Sequence, residues 1–240
     1  MSMPMQMKKQ EVNKKSGING AILKWLAIIT MAIDHIGGGF LGFYNQSATV
    51  PLEKLYTASR MIGRLSFPIF AFLIIQGYQH TSNRRKYAGK LLLLALLSEI
   101  PFDLAFYDQV FYLGSQNIFF TLAIGVIGFS FYEKFELENK VVHQIVAVVV
   151  SSLLAEVMMT DYGLYGILFI FGLGILRNNK LNQTLFGVAM GAVQMFAASL
   201  AFIPIWFYNG ERGKQNKWFF YIFYPAHLLL IYFIRLFLQI

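Results

Sequence analysis

The sequence predicts an all-α, polytopic membrane protein: a bundle of about eight transmembrane helices with both termini in the cytoplasm. Of its 240 residues, 57% are hydrophobic and only 13% are charged. The apolar residues form repeated runs, and a helix needs about 20 of them to cross a hydrocarbon layer about 30 Å thick. Basic residues cluster in short groups between the runs, as topology signals do. The net charge of +8 is therefore read as orientation in a membrane, and no nucleic acid partner is expected.

Eight runs are predicted to span the membrane. They lie at about residues 21–43, 61–80, 87–107, 117–135, 141–159, 162–177, 183–203 and 218–238. The polar, basic segment 1–20 precedes the first run and is expected to remain as a cytoplasmic tail, because no convincing small-residue cleavage site follows the run. Residues 21–240 are expected to form a single domain within the membrane lipid.

The distribution of Lys and Arg predicts the orientation. With the N-terminus inside, 14 of the 20 basic residues, Arg235 among them, fall on the cytoplasmic side of an eight-span chain. The other six lie in the first and last external loops, where topology does not require them. This pattern favours a multi-pass protein of the bacterial cytoplasmic membrane.

The pair Asp34 and His35 interrupts the first apolar run. A charged group at the bilayer centre costs about 2.5–3.5 kcal/mol, so such residues often mark function. A nearby carboxylate raises the proton affinity of an imidazole and burial lowers it, which favours His35 as a general base with Asp34 as its partner. Alternatively, Asp34 pairs with Arg60 or Arg64, and His35 only bonds a backbone carbonyl. The glycines at 37–39 either unwind the helix beside a cavity or allow close helix packing.

Two groups of cations accompany the second run. Arg60 and Arg64 are four residues apart, so they share a helical face suited to a carboxylate or phosphate. Pro68 is expected to kink the span. At the cytoplasmic end stands a basic cluster that either orients the chain or receives an anionic cosubstrate; it consists of Arg84, Arg85 and Lys86.

Further polar residues lie near prolines in later runs. Glu99 and Asp103 flank Pro101 on one helical face, and a bridge to an arginine is expected for at least one of them. Asn117 opens the fourth run and is another candidate polar residue. His227, two residues after Pro225, is either a catalytic or orienting group or a hydrogen-bonded core histidine. The four histidines stand on separate elements and cysteine is absent, so no metal site is expected.

Seven segments, in order over about residues 22–232, together resemble the TraX family of conjugative pilin acetylases. They read LKWLAIITMAIDHIGG, RMIGRLSFPIFAFLIIQGYQHT, KLLLLALLSEIPFDLAF, NIFFTLAIG, DYGLYGILFI, YNGERG and FYIFYPAHLLL. The resemblance implies an integral membrane acetyltransferase that moves an acetyl group from cytoplasmic acetyl-CoA to an amine or hydroxyl acceptor. That acceptor is a pilin-like N-terminus or an envelope glycan.

The resemblance also implies roles for individual residues. Asp34 and His35 match the family's DH position, Arg64 its arginine before FP, and His227 its YPxH position. His35 is then the base or a transient acetyl carrier, oriented by Asp34. Arg60 and Arg64, with the basic cluster at 84–86, are expected to contact the coenzyme or the oxyanion. Two other hypotheses are a proton-coupled transporter or flippase and a non-catalytic component of a conjugation or export system; the lack of an internal repeat weakens the first.

Overall fold

The computed structural model describes residues 16–47 and 49–240, and these residues fold into helices joined by short loops, without a β-strand. The helices are α1 (Gly20–Ile36), a π-helical segment (Gly37–Leu41), α2 (Gly42–Ser47), α3 (Glu53–Gly63), α4 (Ser66–His80), α5 (Arg84–Tyr107), α6 (Ile118–Leu137), α7 (Val141–Val157), α8 (Gly163–Ile175), α9 (Lys180–Gln194), α10 (Phe196–Ser199), α11 (Phe202–Trp206) and α12 (Lys217–Leu238). Residues 1–15 of the predicted tail 1–20 lie outside the described residues.

The all-helical membrane architecture is confirmed. Four helical stretches of the described chain are long and apolar enough to cross a membrane: Gly20–Gln46, Glu53–His80, Ile118–Leu137 and Trp218–Leu238. Shorter apolar helices occupy Val141–Val157, Gly163–Ile175 and Phe196–Trp206. Eight spans of full length were predicted, so the count of spans is not confirmed.

Asparagine begins five of these helices. In each case the side-chain oxygen accepts a backbone N–H of the first turn, which satisfies a donor that has no partner within the helix. These residues are Asn19 before α1, Asn83 before α5, Asn117 before α6, Asn179 before α9 and Asn216 before α12. The residue at which each of these helices begins is thus set by a local asparagine, whereas the hydrophobic pattern alone does not define where the apolar run starts.

The bundle has two ends, which we call the basic end and the far end. At the basic end α1 and α12 begin, and the loop 207–216 closes over the start of α1. There Ile18 N–H donates to the Phe207 carbonyl and Gly20 N–H to the Glu211 carbonyl, both at 2.8 Å. The end of α4 and the start of α5 lie at the same end. At the far end Arg235 of α12 contacts Asp108, just after α5, so α1 and α12 run parallel.

A helical hairpin changes the predicted topology. The predicted span 183–203 is not one crossing, since α9 rises from the basic end and α10 and α11 return to it. Lys180, at the start of α9, lies 4.5 Å from the ring centroid of Trp206, at the end of α11. Met195 has extended backbone angles (φ −172°, ψ 135°) that end α9. Residue 20 and residue 238 therefore lie at opposite ends of the bundle, and this geometry disagrees with two cytoplasmic termini.

The second helical stretch breaks before its proline. Helix α3 ends at Gly63 and α4 begins at Ser66, so the break falls at Arg64 and Leu65. Pro68 lies in the first turn of α4, where its missing N–H would have no helical partner in any case. The predicted kink at Pro68 is thus displaced by four residues, and the displacement puts Arg64 at the break.

Candidate functional site

The glycine run beside His35 forms a π-helical turn. Gly37, Gly38 and Gly39 lie in the π-helical segment, where a wider turn follows directly on α1. A Cβ on Gly38 would lie 2.8 Å from the Arg60 guanidinium, and one on Gly39 would lie 3.1 Å from the Ala105 carbonyl oxygen. The two explanations offered for the glycines therefore both apply: the helix departs from α geometry, and neighbouring helices approach its backbone closely.

The most distinctive contact in the structure joins two histidines. Nδ1 of His35 lies 2.6 Å from Nε2 of His227. On its other side, His227 directs Nδ1 at the carbonyl of Phe223, 2.7 Å away. His35 is 9% exposed, and its ring packs edge-on against Phe106 and Tyr224. The first and last long helices of the chain thus meet through this pair, 192 residues apart.

The hydrogen bonds of the pair determine its tautomers. A carbonyl only accepts, so the Nδ1 of His227 carries a hydrogen, and its Nε2 in the neutral ring is an acceptor. His35 must then donate from Nδ1, which leaves its own Nε2 without a hydrogen. Buried neutral imidazoles in this arrangement present one basic nitrogen, the Nε2 of His35.

Asp34 does not orient His35. Its carboxylate accepts a hydrogen bond and ion pair from Arg60 at 2.7 Å, and Arg60 also donates to the Asp34 carbonyl at 3.2 Å. The other carboxylate oxygen, Oδ1, is buried without a hydrogen-bond partner. The orienting role expected of Asp34 falls to His227, and the alternative pairing of Asp34 with Arg60 is the one observed.

Arg64 connects Asp34 to the start of α8. It hydrogen-bonds Tyr162 and lies within electrostatic range of the carboxylates of Asp34 and Asp161, without forming an ion pair with either. Asp161 lies in the loop between α7 and α8, where its N–H donates to the Gln116 carbonyl at 2.8 Å. Burial, followed by the Asp34 carboxylate, raises the pKa of Asp161 to about 6. This loop acid, the first residue of the DYGLYGILFI segment, thus belongs to the polar group around Asp34.

The acids of α5 hold the connection to α6. Glu99 accepts from the backbone and side-chain amides of Asn117, which also donates to the Ala95 carbonyl at 2.8 Å. Asp103, 1% exposed, accepts the N–H of Tyr112 at 2.9 Å. The expected arginine partner is therefore replaced by amide groups. These residues shape the far end of the bundle and do not hydrogen-bond the histidine pair.

Two adjoining cavities lead from the basic end toward the histidines. The outer one, about 410 Å³, lies under the loop 207–216. The inner one, about 160 Å³, has mostly apolar walls and reaches Met31, Phe223 and Tyr224. Lys24 and Lys90 line both cavities. Tyr224 also packs against His35 at 5.7 Å between ring centroids, so the cavities end beside the paired rings.

The cations at this entrance differ from those predicted. Lys24, Lys90 and Arg212 line the outer cavity. Of the predicted basic cluster, Arg84 pairs with Glu133, while Arg85 and Lys86 are exposed and do not line either cavity. Arg212 lies in the YNGERG segment, one of the seven segments that resemble the TraX family, and this position could have identified it as a candidate.

Arg60 and Arg64 lie on the far side of His35 from the entrance. They lie beside Asp34, and neither of them lines the two cavities. In the described part of the chain, no group of three or more His, Asp or Glu side chains is arranged to hold a metal ion.

The fold and the site together define a helical integral membrane protein with a buried histidine pair and, next to it, cavities lined by cations at one end of the bundle. Residues 19–235 match the family model described as TraX protein, and the chain belongs to the TraX family. Among curated proteins, it is similar to "Probable fimbrial assembly protein FimC, serogroup H1" of Dichelobacter nodosus. The two are 27% identical over 247 residues, which covers 90% of this chain and 96% of the relative. No solved structure matches significantly.

Proposed function

We propose that this protein is an integral membrane acetyltransferase that transfers an acetyl group from cytoplasmic acetyl-CoA to an amine or hydroxyl acceptor. The observation that carries the proposal is the histidine pair with its single basic nitrogen, next to cavities that lead from a cation-lined entrance to Tyr224, which packs on His35. A chain that only scaffolds other proteins has no need of a tautomer-defined base at this depth.

The reaction requires a base for the acceptor proton and a donor for the developing oxyanion. In the proposed step the acceptor's nitrogen or oxygen attacks the thioester carbonyl and its proton moves to Nε2 of His35. The carbon–sulfur bond then breaks, and the proton returns to the leaving thiolate. His227 accepts from Nδ1 of His35 throughout and stabilises the imidazolium. Arg60 lies within electrostatic range of His35, which suits it to the oxyanion.

The entrance fits the parts of acetyl-CoA in order. Lys24, Lys90 and Arg212 supply positive charge for phosphates at the outer cavity. Lys24 precedes His35 by 11 residues on one helix, which is about 16 Å along the axis at 1.5 Å per residue. An extended pantetheine arm has a comparable length, so a thioester reaches the histidines from phosphates held at the entrance. This removes the need for the whole coenzyme to enter the bundle.

We propose that the basic end faces the cytoplasm. The orientation follows the positive-inside rule for Arg84, Arg85, Lys86 and Lys180, all of which lie at this end. The chain then makes seven full crossings and one hairpin, in place of the eight crossings predicted, and its C-terminus faces the other side. Fusions of alkaline phosphatase and of green fluorescent protein after Ile240 test this; phosphatase activity is expected, and fluorescence alone would refute it.

The acceptor proposal rests on the family and on the fimbrial relative. A pilin-like N-terminus and an envelope glycan both carry the required nucleophile. Association with pilus or fimbrial assembly favours the first. The non-catalytic alternative makes the protein an assembly component only, and it predicts no loss of acetyl groups when His35 is changed.

The test uses membrane vesicles from producing cells, supplied with acetyl-CoA labelled in the acetyl group. Label is expected to enter the protein or glycan fraction with the wild-type chain and to disappear with His35→Gln. His143→Gln is the matched control, because this exposed histidine packs on Phe135 at the basic end, away from the pair. Equal labelling by wild type and His35→Gln would overturn the catalytic assignment.

A further inference from the structure

Arg235 is the most deeply buried arginine of the described chain, at 2% exposure. Its guanidinium donates to the carbonyls of Leu104, Ala105 and Gly39 at 3.2, 3.3 and 3.4 Å. It also pairs with Asp108 at 2.9 Å. These four acceptors belong to the end of α5 and to the π-helical segment, so one side chain ties α12 to both elements.

The acceptors explain why an arginine occupies this position. Leu104 and Ala105 lie in the last turn of α5, where carbonyls lack partners within the helix. Gly39 lies in the π-helical segment, where the hydrogen-bond register shifts. Arginine has five donors in a fixed fork and reaches several acceptors at once, which lysine does not. The aromatic ring of Phe43, 3.5 Å from the guanidinium, covers its face.

The same face of α12 carries the histidine. His227, Ile231 and Arg235 are spaced by four residues and therefore line up along the helix. A Cβ on Gly39 would lie 3.2 Å from the Ile231 side chain, so this row packs directly on the segment that follows His35. A shift of α12 that lengthened the 2.6 Å contact between the histidines by about one ångström would break it.

We propose that Arg235 is a positioning residue for the histidine pair. By holding α12 against the π-helical segment and α5, it sets the register in which Nε2 of His227 meets Nδ1 of His35. Its catalytic consequence rests on the proposed acetyltransferase function, whereas the register itself does not. The charge of Arg235 therefore serves an internal contact at the far end, and it is not a cytoplasmic topology signal.

The experiment observes the pair directly, by ¹⁵N NMR of histidine-labelled protein in lipid nanodiscs. His80→Gln and His143→Gln leave two histidines, and the N–H···N contact gives a scalar coupling between their ring nitrogens. The coupling is expected in this background and expected to be lost in Arg235→Met. Arg177→Met is the matched control, since Arg177 also joins two helices through a carboxylate, that of Glu133, and donates to a nearby carbonyl, that of Gly174, but at the basic end. It is expected to keep the coupling.

Activity supplies the second measurement. Arg235→Met is expected to lower kcat about tenfold or more with an unchanged KM for acetyl-CoA, because small misplacements of reacting groups are costly. Arg235→Lys keeps the positive charge and is the second variant to measure if Arg235→Met does not fold. We expect Arg235→Lys to weaken the coupling. A coupling that persists in both variants, or that is lost equally in Arg177→Met, would overturn the proposal. The coupling is measured without turnover, so a failure of the acetyltransferase proposal is distinguished from a failure of this one.

Discussion

The structure predicts unequal catalytic roles for the two histidines of the pair. His35 presents the basic nitrogen, whereas His227 only fixes its tautomer and stabilises its charged form. His35→Gln removes the base, and general-base catalysis contributes about 10²- to 10⁴-fold. His227→Phe keeps a ring of similar size and removes a hydrogen bond worth about 0.5–1.5 kcal/mol to the neutral His35 ring and about 1.5–3 kcal/mol to its charged form. The transition state therefore loses about 1–1.5 kcal/mol more than the ground state. At about 1.4 kcal/mol per tenfold, that difference lowers kcat about 5- to 12-fold.

The assay is the initial rate of transfer from labelled acetyl-CoA in vesicles, measured across pH for both single variants and the double variant. Because the two residues act as a unit, the double variant is expected to be no slower than His35→Gln alone. A His227→Phe variant as slow as His35→Gln would refute the assignment of roles. So would a double variant whose losses multiply.

Three further outcomes follow from the structure. Lys24→Gln is expected to raise the KM for acetyl-CoA several-fold with kcat unchanged, and high salt is expected to reduce this effect. A change in kcat with an unchanged KM would contradict the role of Lys24 in binding the coenzyme's phosphates. Gly63→Ala puts a Cβ 2.1 Å from the Asp34 side chain, so thermal unfolding in detergent is expected to show a loss of about 1–3 kcal/mol, and unchanged stability would contradict the packing. The pKa of Asp161 is raised from 3.8 to about 6 in the folded protein, so folding binds its proton more tightly and the free energy of unfolding falls as pH rises. Asp161→Asn is therefore expected to be more stable than the wild type above pH 6, by up to about 3 kcal/mol. This difference in the free energy of unfolding is expected to disappear toward pH 4.

Local chemistry was readable from the sequence where single residues decide it. Asparagine caps, the glycine run and the ionisable groups within apolar runs all stand at functional or structural breaks in the fold. His35 and His227 were both identified as candidates from the cost of polar groups at this depth. Their mutual contact was not readable, because it depends on the packing of two helices separated by nearly the whole chain.

The residues of the entrance and the number of membrane crossings could not be predicted from the sequence, for a different reason. Lys24 and Arg212 come from distant segments and meet only because the loop 207–216 folds over the start of α1. Hydropathy registers 183–203 as one apolar run, since it does not detect that Gly187 admits the Phe202 ring and Gly191 approaches Ser199. These glycines let α9 and the returning helices pack as a hairpin, which reverses the side on which the chain ends.

The parallel contact between α1 and α12 has a consequence for biogenesis. His35 precedes His227 by 192 residues, so the pair forms only after α12 has entered the membrane beside α1. A chain in which α12 is missing or not yet inserted lacks the partner that fixes the tautomer of His35. Insertion of α12 is thus the step that assembles the histidine pair.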